Sequence, residues 1–218
     1  VAGNFNRYKG GTTPELVKIF GNGSLDTPLY NDFVSLSINK VFVVEDEALL
    51  VAGQFNEIRP CGTSFTSRAI TKMTLGLDFD ADFLNVPSMA ALCDDVDLAD
   101  NIPTYFNGSD EVNTIVEGPG NTVYVGGRIN GYNDGVDHAI SKIIRIDAGN
   151  GSLDTSFVPP DLNGRVFAIV PDDQGRLYVG GSFFNVGAGS DRDRLIRLTA
   201  SGQEDPSFAI GTGFDGSV

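Results

Sequence analysis

The pentapeptide GSLDT is written twice, in "FGNGSLDTPLY" at Phe20–Tyr30 and in "AGNGSLDTSFV" at Ala148–Val158, and a weaker copy, "ASGQEDPSFAI", covers Ala200–Ile210. A chain that spells one turn at long intervals is built from units, and the period of those units constrains its fold more than any other feature. A second motif marks the same units: an apolar residue, Val, Gly or Ala, then Gly. It reads "VAGNF" at Val1, "LLVAGQF" around Val51, "VYVGGRI" around Val125 and "LYVGGSF" around Val179. These valines recur roughly every 50 residues, with a middle interval longer by roughly 20.

A polar loop follows each anchor, then an apolar run that carries one cation: "LVKIF", "AITKM", "IIRID" and "LIRLT". Lys18, Lys72, Arg145 and Arg197 therefore share one repeat position. Asp26, Asp80, Asp154 and Asp205 share the next, and Leu29, Phe83, Phe157 and Phe208 stand three residues beyond. A further apolar strand, "INKVFVV", "EVNTIVE" or "GRVFAIV", leads back to the next anchor. Each unit thus holds about four short β segments bounded by Gly, Asn and Asp turns, with no helical period between them.

The expected fold is all-β: a β-propeller of four-stranded blades of about 50 residues, with about four units in the chain. The units run over about 1–30, 38–83, 112–157 and 166–208, the first and last incomplete, with an insert at about 84–109 and the start of a further unit at 213–218. In this scheme Gly supplies positive φ in the repeated turn, and Asp bonds the backbone of its own turn. The cation pairs with the Asp across adjacent strands, and the following apolar side chain plugs the space between blades. The chain opens on an anchor and closes on "GFDGSV", so these repeats are expected to be a piece of a longer protein, with a closed four-unit ring as the alternative.

The unit from Asn163, "NGRVFAIVPDDQGRLYVGGSFFNVG" and then "RLIRLTASGQEDPSF", resembles the delta-60 repeat family of bacterial β-propeller proteins. The family pattern runs Asp-Gly, an apolar strand, Asp-Gly-Lys, Ile-Leu-Val-Gly-Gly-x-Phe, a loop, then Arg-Leu-Asn-x-Asp-Gly-Ser-Leu-Asp-x-x-Phe. The resemblance covers nearly the whole chain apart from the insert. It is weakest between Ile38 and Phe83, where "TKM" and "LDFDADF" replace the Arg-Leu core and the Ser-Leu-Asp turn. It implies a large secreted or surface-attached bacterial protein and a scaffold or recognition module, and it brings no catalytic residues.

Composition narrows the partners. The 218 residues carry 15 Lys and Arg against 29 Asp and Glu, a net charge of −14. Such a chain repels phosphate backbones, which argues against nucleic acid. No apolar run is long enough to span a bilayer as a helix. Seven Asp and no cation fall in Asp78–Asp100. Within that stretch Asp78, Asp80 and Asp82 alternate, and in a loop three carboxylates at this spacing can gather around Ca²⁺. In a strand they would only face one side. No other cofactor is expected. "CDDVDLAD" at Cys93–Asp100 reads as a solvated acidic insert, and a disulfide between Cys61 and Cys93 would pin that insert to the loop after the second anchor.

His138, the only histidine, lies in "NDGVDH" and reads as an exposed loop residue rather than a catalytic one. Gly211–Gly216 matches a dinucleotide fingerprint but sits between strands, without the helix that fingerprint needs. The loops after the anchors vary most and carry Tyr8 and Tyr132 among polar residues, a composition suited to sugars and equally to ordinary turns. The functional expectation is a non-enzymatic, extracellular or cell-surface bacterial module that binds a protein or a surface glycan. The alternatives are a structural component of a larger surface or virion assembly, and a glycan-active enzyme working through paired carboxylates.

Overall fold

The computed structural model describes residues 7–9, 11–12, 16–22, 24–26, 33–44, 48–58, 65–66, 69–75, 78–84, 89–94, 103–184, 186, 194–211 and 213–218. Their strands are β1 (Arg7–Tyr8), β2 (Gly11–Thr12), β3 (Phe33–Val44), β4 (Ala48–Ile58), β5 (Phe65–Thr66) and β6 (Ile70–Thr74), then, after one short helix, α1 (Met89–Asp94), β7 (Glu111–Glu117), β8 (Thr122–Arg128), β9 (Tyr132–Asn133), β10 (Asp137–His138), β11 (Ile143–Asp147), β12 (Val166–Pro171), β13 (Leu177–Gly181) and β14 (Leu195–Leu198).

Three antiparallel sheets hold the described core: β3-β4-β6, with β5 on the far end of β4; β7-β8-β11; and β12-β13-β14. They stack in a row. β7 lies against β3 and β4, and β12 lies against β7 and β8. One apolar layer, with Leu50, Val112, Val123 and Ile144, fills the space between the first two sheets. Another, with Tyr124, Phe157, Val166 and Ile196, fills the space between the second and third. Leu16 packs with Ile38, Val51 and Met73, so residues 16–26 flank the first sheet. The described residues form this open row and no closed ring.

Burial on both faces explains the anchor strands. Val123 to Gly127 are all buried in β8, which leaves no polar side to alternate. The second glycine of each anchor has a sharper cause. Each first strand carries a register shift, near Ile38 in β3, Val112 in β7 and Val166 in β12. That bulge pushes a backbone carbonyl, of Ser37, Glu111 or Arg165, against Gly53, Gly127 or Gly181, where no Cβ fits. At the first anchor glycine the contacts differ between units: beside Gly126 they are side-chain carbons such as Val166 Cγ1 and Ile169 Cδ1, beside Gly180 they include the Val218 backbone carbonyl, and Ala52 stands there in the second unit.

Four strands per unit is corrected in detail. The outermost strand shrinks to a single bridge: Ile19 with Leu25, Met73 with Phe79, Ile146 with Leu153, and Leu198 with Glu204. The turn is too tight for a longer ladder. In the third unit Asp147 Oδ1 accepts from the Gly149 and Asn150 amides at 2.7 and 3.0 Å, and Gly151 has φ of 74°. The Asp154 amide then donates to the Arg145 carbonyl at 2.9 Å, which sends the chain on to the next unit.

Of the acidic segment Cys93–Asp100, residues 95–100 lie outside the described residues and Cys93 is exposed, while other parts of the insert turn apolar side chains inward. Leu84 and Leu92 are buried in the layer under the first sheet. Tyr105 and Phe106 are buried beside Phe83 and Tyr132. Tyr105 donates its hydroxyl to the Phe83 carbonyl, and its backbone bridges Asn133. Burial, the leading cause, raises the pKa of this phenol well above the usual range, so it stays neutral.

Candidate functional site

The repeat cations come first, because each of them is paired with the Asp of its own unit. Lys18 pairs with Asp26 at 3.2 Å, Lys72 with Asp80 at 3.3 Å, Arg145 with Asp154 at 2.6 Å and Arg197 with Asp205 at 2.9 Å. Each of the first three also crosses to the next unit. Lys18 Nζ donates to the Leu75 carbonyl at 3.2 Å, Lys72 Nζ to that of Gly149 at 3.2 Å, and Arg145 Nη1 to that of Ala200 at 3.1 Å. All three acceptors lie in the repeated turn of the following unit. The cation is therefore a staple between units as well as half of an ion pair.

Across the strand from each cation stands its register partner: Leu50 opposite Lys72, Tyr124 opposite Arg145, and Tyr178 opposite Arg197. The Arg145 guanidinium lies 5.7 Å from the Tyr124 ring and 5.3 Å from that of Phe157. Arg197 sits likewise between Tyr178 and Phe208, at 5.7 and 4.9 Å. A planar guanidinium stacks on rings where an ammonium does not, so Arg goes with Tyr and Lys with Leu.

These contacts fix the carboxylates in their charged form. The Ser207 hydroxyl and amide, then Arg197, hold Asp205 below the ordinary carboxylate range. At Asp154 burial pushes the pKa up, but bonds from Ser156 and Arg145 outweigh it and the net direction is down. A carboxyl whose folded pKa lies below its unfolded value, near 3.9, contributes stability that is complete above about pH 4 and is lost as pH falls through the folded value. The thermal midpoint is expected to hold from pH 7 to about pH 4 and to drop below it, and D154N with D205N should flatten that drop. An unchanged slope in the double variant would remove these pairs as its cause.

A second polar group lies where the first strands of the three sheets meet. Glu111, at the start of β7, takes Asn39 Nδ2 from β3 at 3.1 Å and Asn113 Nδ2 at 3.2 Å on one oxygen. Its other oxygen faces Arg165 Nη1, just before β12, at 3.5 Å. Arg128 is the register partner of Glu111. Arg128 Nε and Asn113 Oδ1 are both buried, with no hydrogen-bond partner among the described residues. One carboxylate thus meets the Arg165 guanidinium, with Arg128 as its backbone register partner, in a chain that is strongly acidic elsewhere. The three sheets place different residues at this one position: Ser37 opposite Gln54, Glu111 opposite Arg128, and Arg165 bonded through its amide to Ser182 Oγ at 3.0 Å. Comparing units at the residue before Ile38, Val112 and Val166 finds this group in the sequence, because Ser, Glu and Arg stand there in turn.

The other expected sites are placed as follows. His138 Nε2 lies 3.0 Å from Asp134 Oδ1, and Asp134 Oδ2 accepts the Leu153 amide at 2.7 Å, so this pair holds a repeat turn. Two open clefts of about 350 Å³ flank the β9–β10 hairpin and share Asp137, His138 and Ala139. The second is lined by Tyr105, Tyr132 and Asn107, but both tyrosine rings are buried and offer no face for stacking. Tyr8 lies in β1.

Asp78 and Asp82 are exposed while Asp80 is held by Lys72, and no three metal-ligating side chains gather among the described residues. Cys93, in α1, is disulfide-bonded, and Cys61 lies outside the described residues, as does Leu29. No helix among the described residues is long and apolar enough to cross a membrane.

A family model described as a domain of unknown function (DUF5122) β-propeller matches residues 1–27 and 175–208. No curated protein and no solved structure matches the chain. The match and the stacked antiparallel sheets together support an all-β chain of β-propeller kind.

Proposed function

We propose that this chain is a non-enzymatic β-propeller module, extracellular or at a bacterial cell surface, that binds a surface glycan or protein bearing carboxylates. Its contact surface is the rim around Glu111, Arg128 and Arg165. The observation that carries this reading is the contrast between two classes of repeat position. The cation, the Asp and the second anchor glycine recur because they build the fold. The rim position holds unlike residues in all three sheets, and two of its buried polar atoms have no hydrogen-bond partner among the described residues. A guanidinium fork pairs with carboxylate through two parallel hydrogen bonds, which makes Arg128 the anchoring group.

The test is an array of acidic and neutral glycans, with a pull-down against surface proteins, run on the intact chain, R128Q and D137N. Binding should favour carboxylate-bearing partners, weaken about tenfold or more in R128Q, and persist in D137N, which alters only the β9–β10 hairpin. Undiminished binding by a folded R128Q would reject the rim as the site.

A further inference from the structure

An asparagine carboxamide is open to attack by its own main chain when Gly follows, because no Cβ hinders the approach of the next amide nitrogen. The chain has five such pairs: Asn22-Gly23, Asn107-Gly108, Asn130-Gly131, Asn150-Gly151 and Asn163-Gly164. The fold treats them unequally. Asn130 donates Nδ2 to Asp110 at 2.6 Å and accepts from Lys142 Nζ on Oδ1 at 2.6 Å. Asn163 bonds both the carbonyl and the amide of Phe184, at 2.8 and 2.9 Å. Asn150 Oδ1 accepts the Ser152 amide at 2.9 Å, and the Gly151 amide is itself spent on the Asp147 carbonyl at 3.0 Å. Asn22 Oδ1 accepts from the Ser24 amide and hydroxyl at 2.9 and 2.8 Å.

Asn107 is the exception. Asn107, Gly108 and Ser109 are exposed, and neither the Asn107 carboxamide nor the Gly108 amide has a hydrogen-bond partner among the described residues. Only the ends of the turn are tied. The Asp110 amide donates to the Asn107 carbonyl at 2.9 Å, and the Asn107 amide donates to Asp110 Oδ2 at 3.1 Å. Phe106 before the turn and Asp110 after it are both buried.

We propose that Asn107 is a self-modification site, the one among these five pairs that the folded chain leaves free to deamidate. The Gly108 nitrogen attacks Asn107 Cγ, the Cγ–Nδ2 bond breaks, and ammonia leaves with the proton of the Gly108 amide. The product is a cyclic succinimide. Water opens that ring at either carbonyl and leaves an aspartyl or isoaspartyl residue, a net gain of about 1 Da. In the isoaspartyl form the main chain runs through Cβ, and the carbonyl that held the Asp110 amide becomes a free carboxylate. That charge stands beside Asp110, so the closure of the turn is lost and Phe106 is held less firmly.

The experiment ages the full chain at mildly alkaline pH, folded and in denaturant, and follows each pair by peptide mapping and by enzymatic methylation of isoaspartate. In the folded chain position 107 should convert several-fold faster than any other pair, and in denaturant that lead should vanish. N107Q should abolish the early product and leave the other four rates unchanged, and G108A should slow it while keeping the carboxamide. Amide exchange at Phe106 and Asp110 should rise in the aged chain and not in aged N107Q. Another pair converting first in the folded chain overturns the proposal. So does a lead at position 107 that persists in denaturant, because local sequence rather than the fold then selects the site.

Discussion

Gly127→Ala is expected to cost at least about 3 kcal/mol, a large share of a total domain stability of about 5–15 kcal/mol. The added Cβ would overlap the Glu111 carbonyl oxygen and sit 3.0 Å from Val112 Cα. Both are backbone atoms of the bulged strand β7. Relief requires moving β7 away from β8, which would separate the apolar layers on both faces of the sheet. Gly126→Ala, one residue earlier, is the comparison. Its Cβ meets Val166 Cγ1 at 2.7 Å and Ile169 Cδ1 at 2.9 Å, both methyl groups of buried side chains rather than backbone. Ala52 already occupies that position in the second unit, so the cost should stay below about 1.5 kcal/mol. Urea unfolding of both variants decides the matter. Equal midpoints would mean that the bulge yields and that close approach is not why the second glycine recurs.

The second large effect is Arg145→Gln, expected to cost about 3 kcal/mol. The Arg145 side chain is 9% exposed and serves Asp154, Ser156, Tyr124 and Ala200 at once. Removing it leaves Asp154 Oδ2 and the Ala200 carbonyl without the guanidinium donor, while Asp154 Oδ1 keeps Ser156, beside two rings that lose their stacked plane. Lys18→Gln removes the same repeat position where the side chain is 47% exposed, and should cost less than about 1 kcal/mol. Arg145→Lys keeps the charge but not the fork or the stacking surface, so it should recover only part of the loss. A double-mutant cycle with Asp154→Asn separates the ion pair from the contact with the next unit. A full recovery by Lys would show that charge alone accounts for the residue.

How much of this was legible depended on whether a residue's role was local. The turn is local: Asn or Asp, Gly and Ser within five residues write their own hydrogen bonds, so GSLDT announced a tight turn before any sheet was known. The pairing of Arg145 with Asp154 and Arg197 with Asp205 was equally within reach, because the two lie on adjoining segments of one unit. The role of the short run "IPTYF", which carries Tyr105 and Phe106 into the core, was not legible. Nothing within that run says that Phe83, Tyr132 and Asn133 surround it.

The sequence by itself determined the period, the turn, the all-β character and the identity of the repeated positions, because each follows from residues that lie close along the chain. Only the tertiary structure decided what those positions do to one another, within a unit and across units. The second anchor glycine exists because a neighbouring strand bulges toward it, and the cation exists partly for a carbonyl in the next unit. The first cause acts between neighbouring strands of one unit and the second between units, in both cases where packing rather than spacing sets the distance, and so does the meeting of Asn39, Glu111 and Arg165 at one rim.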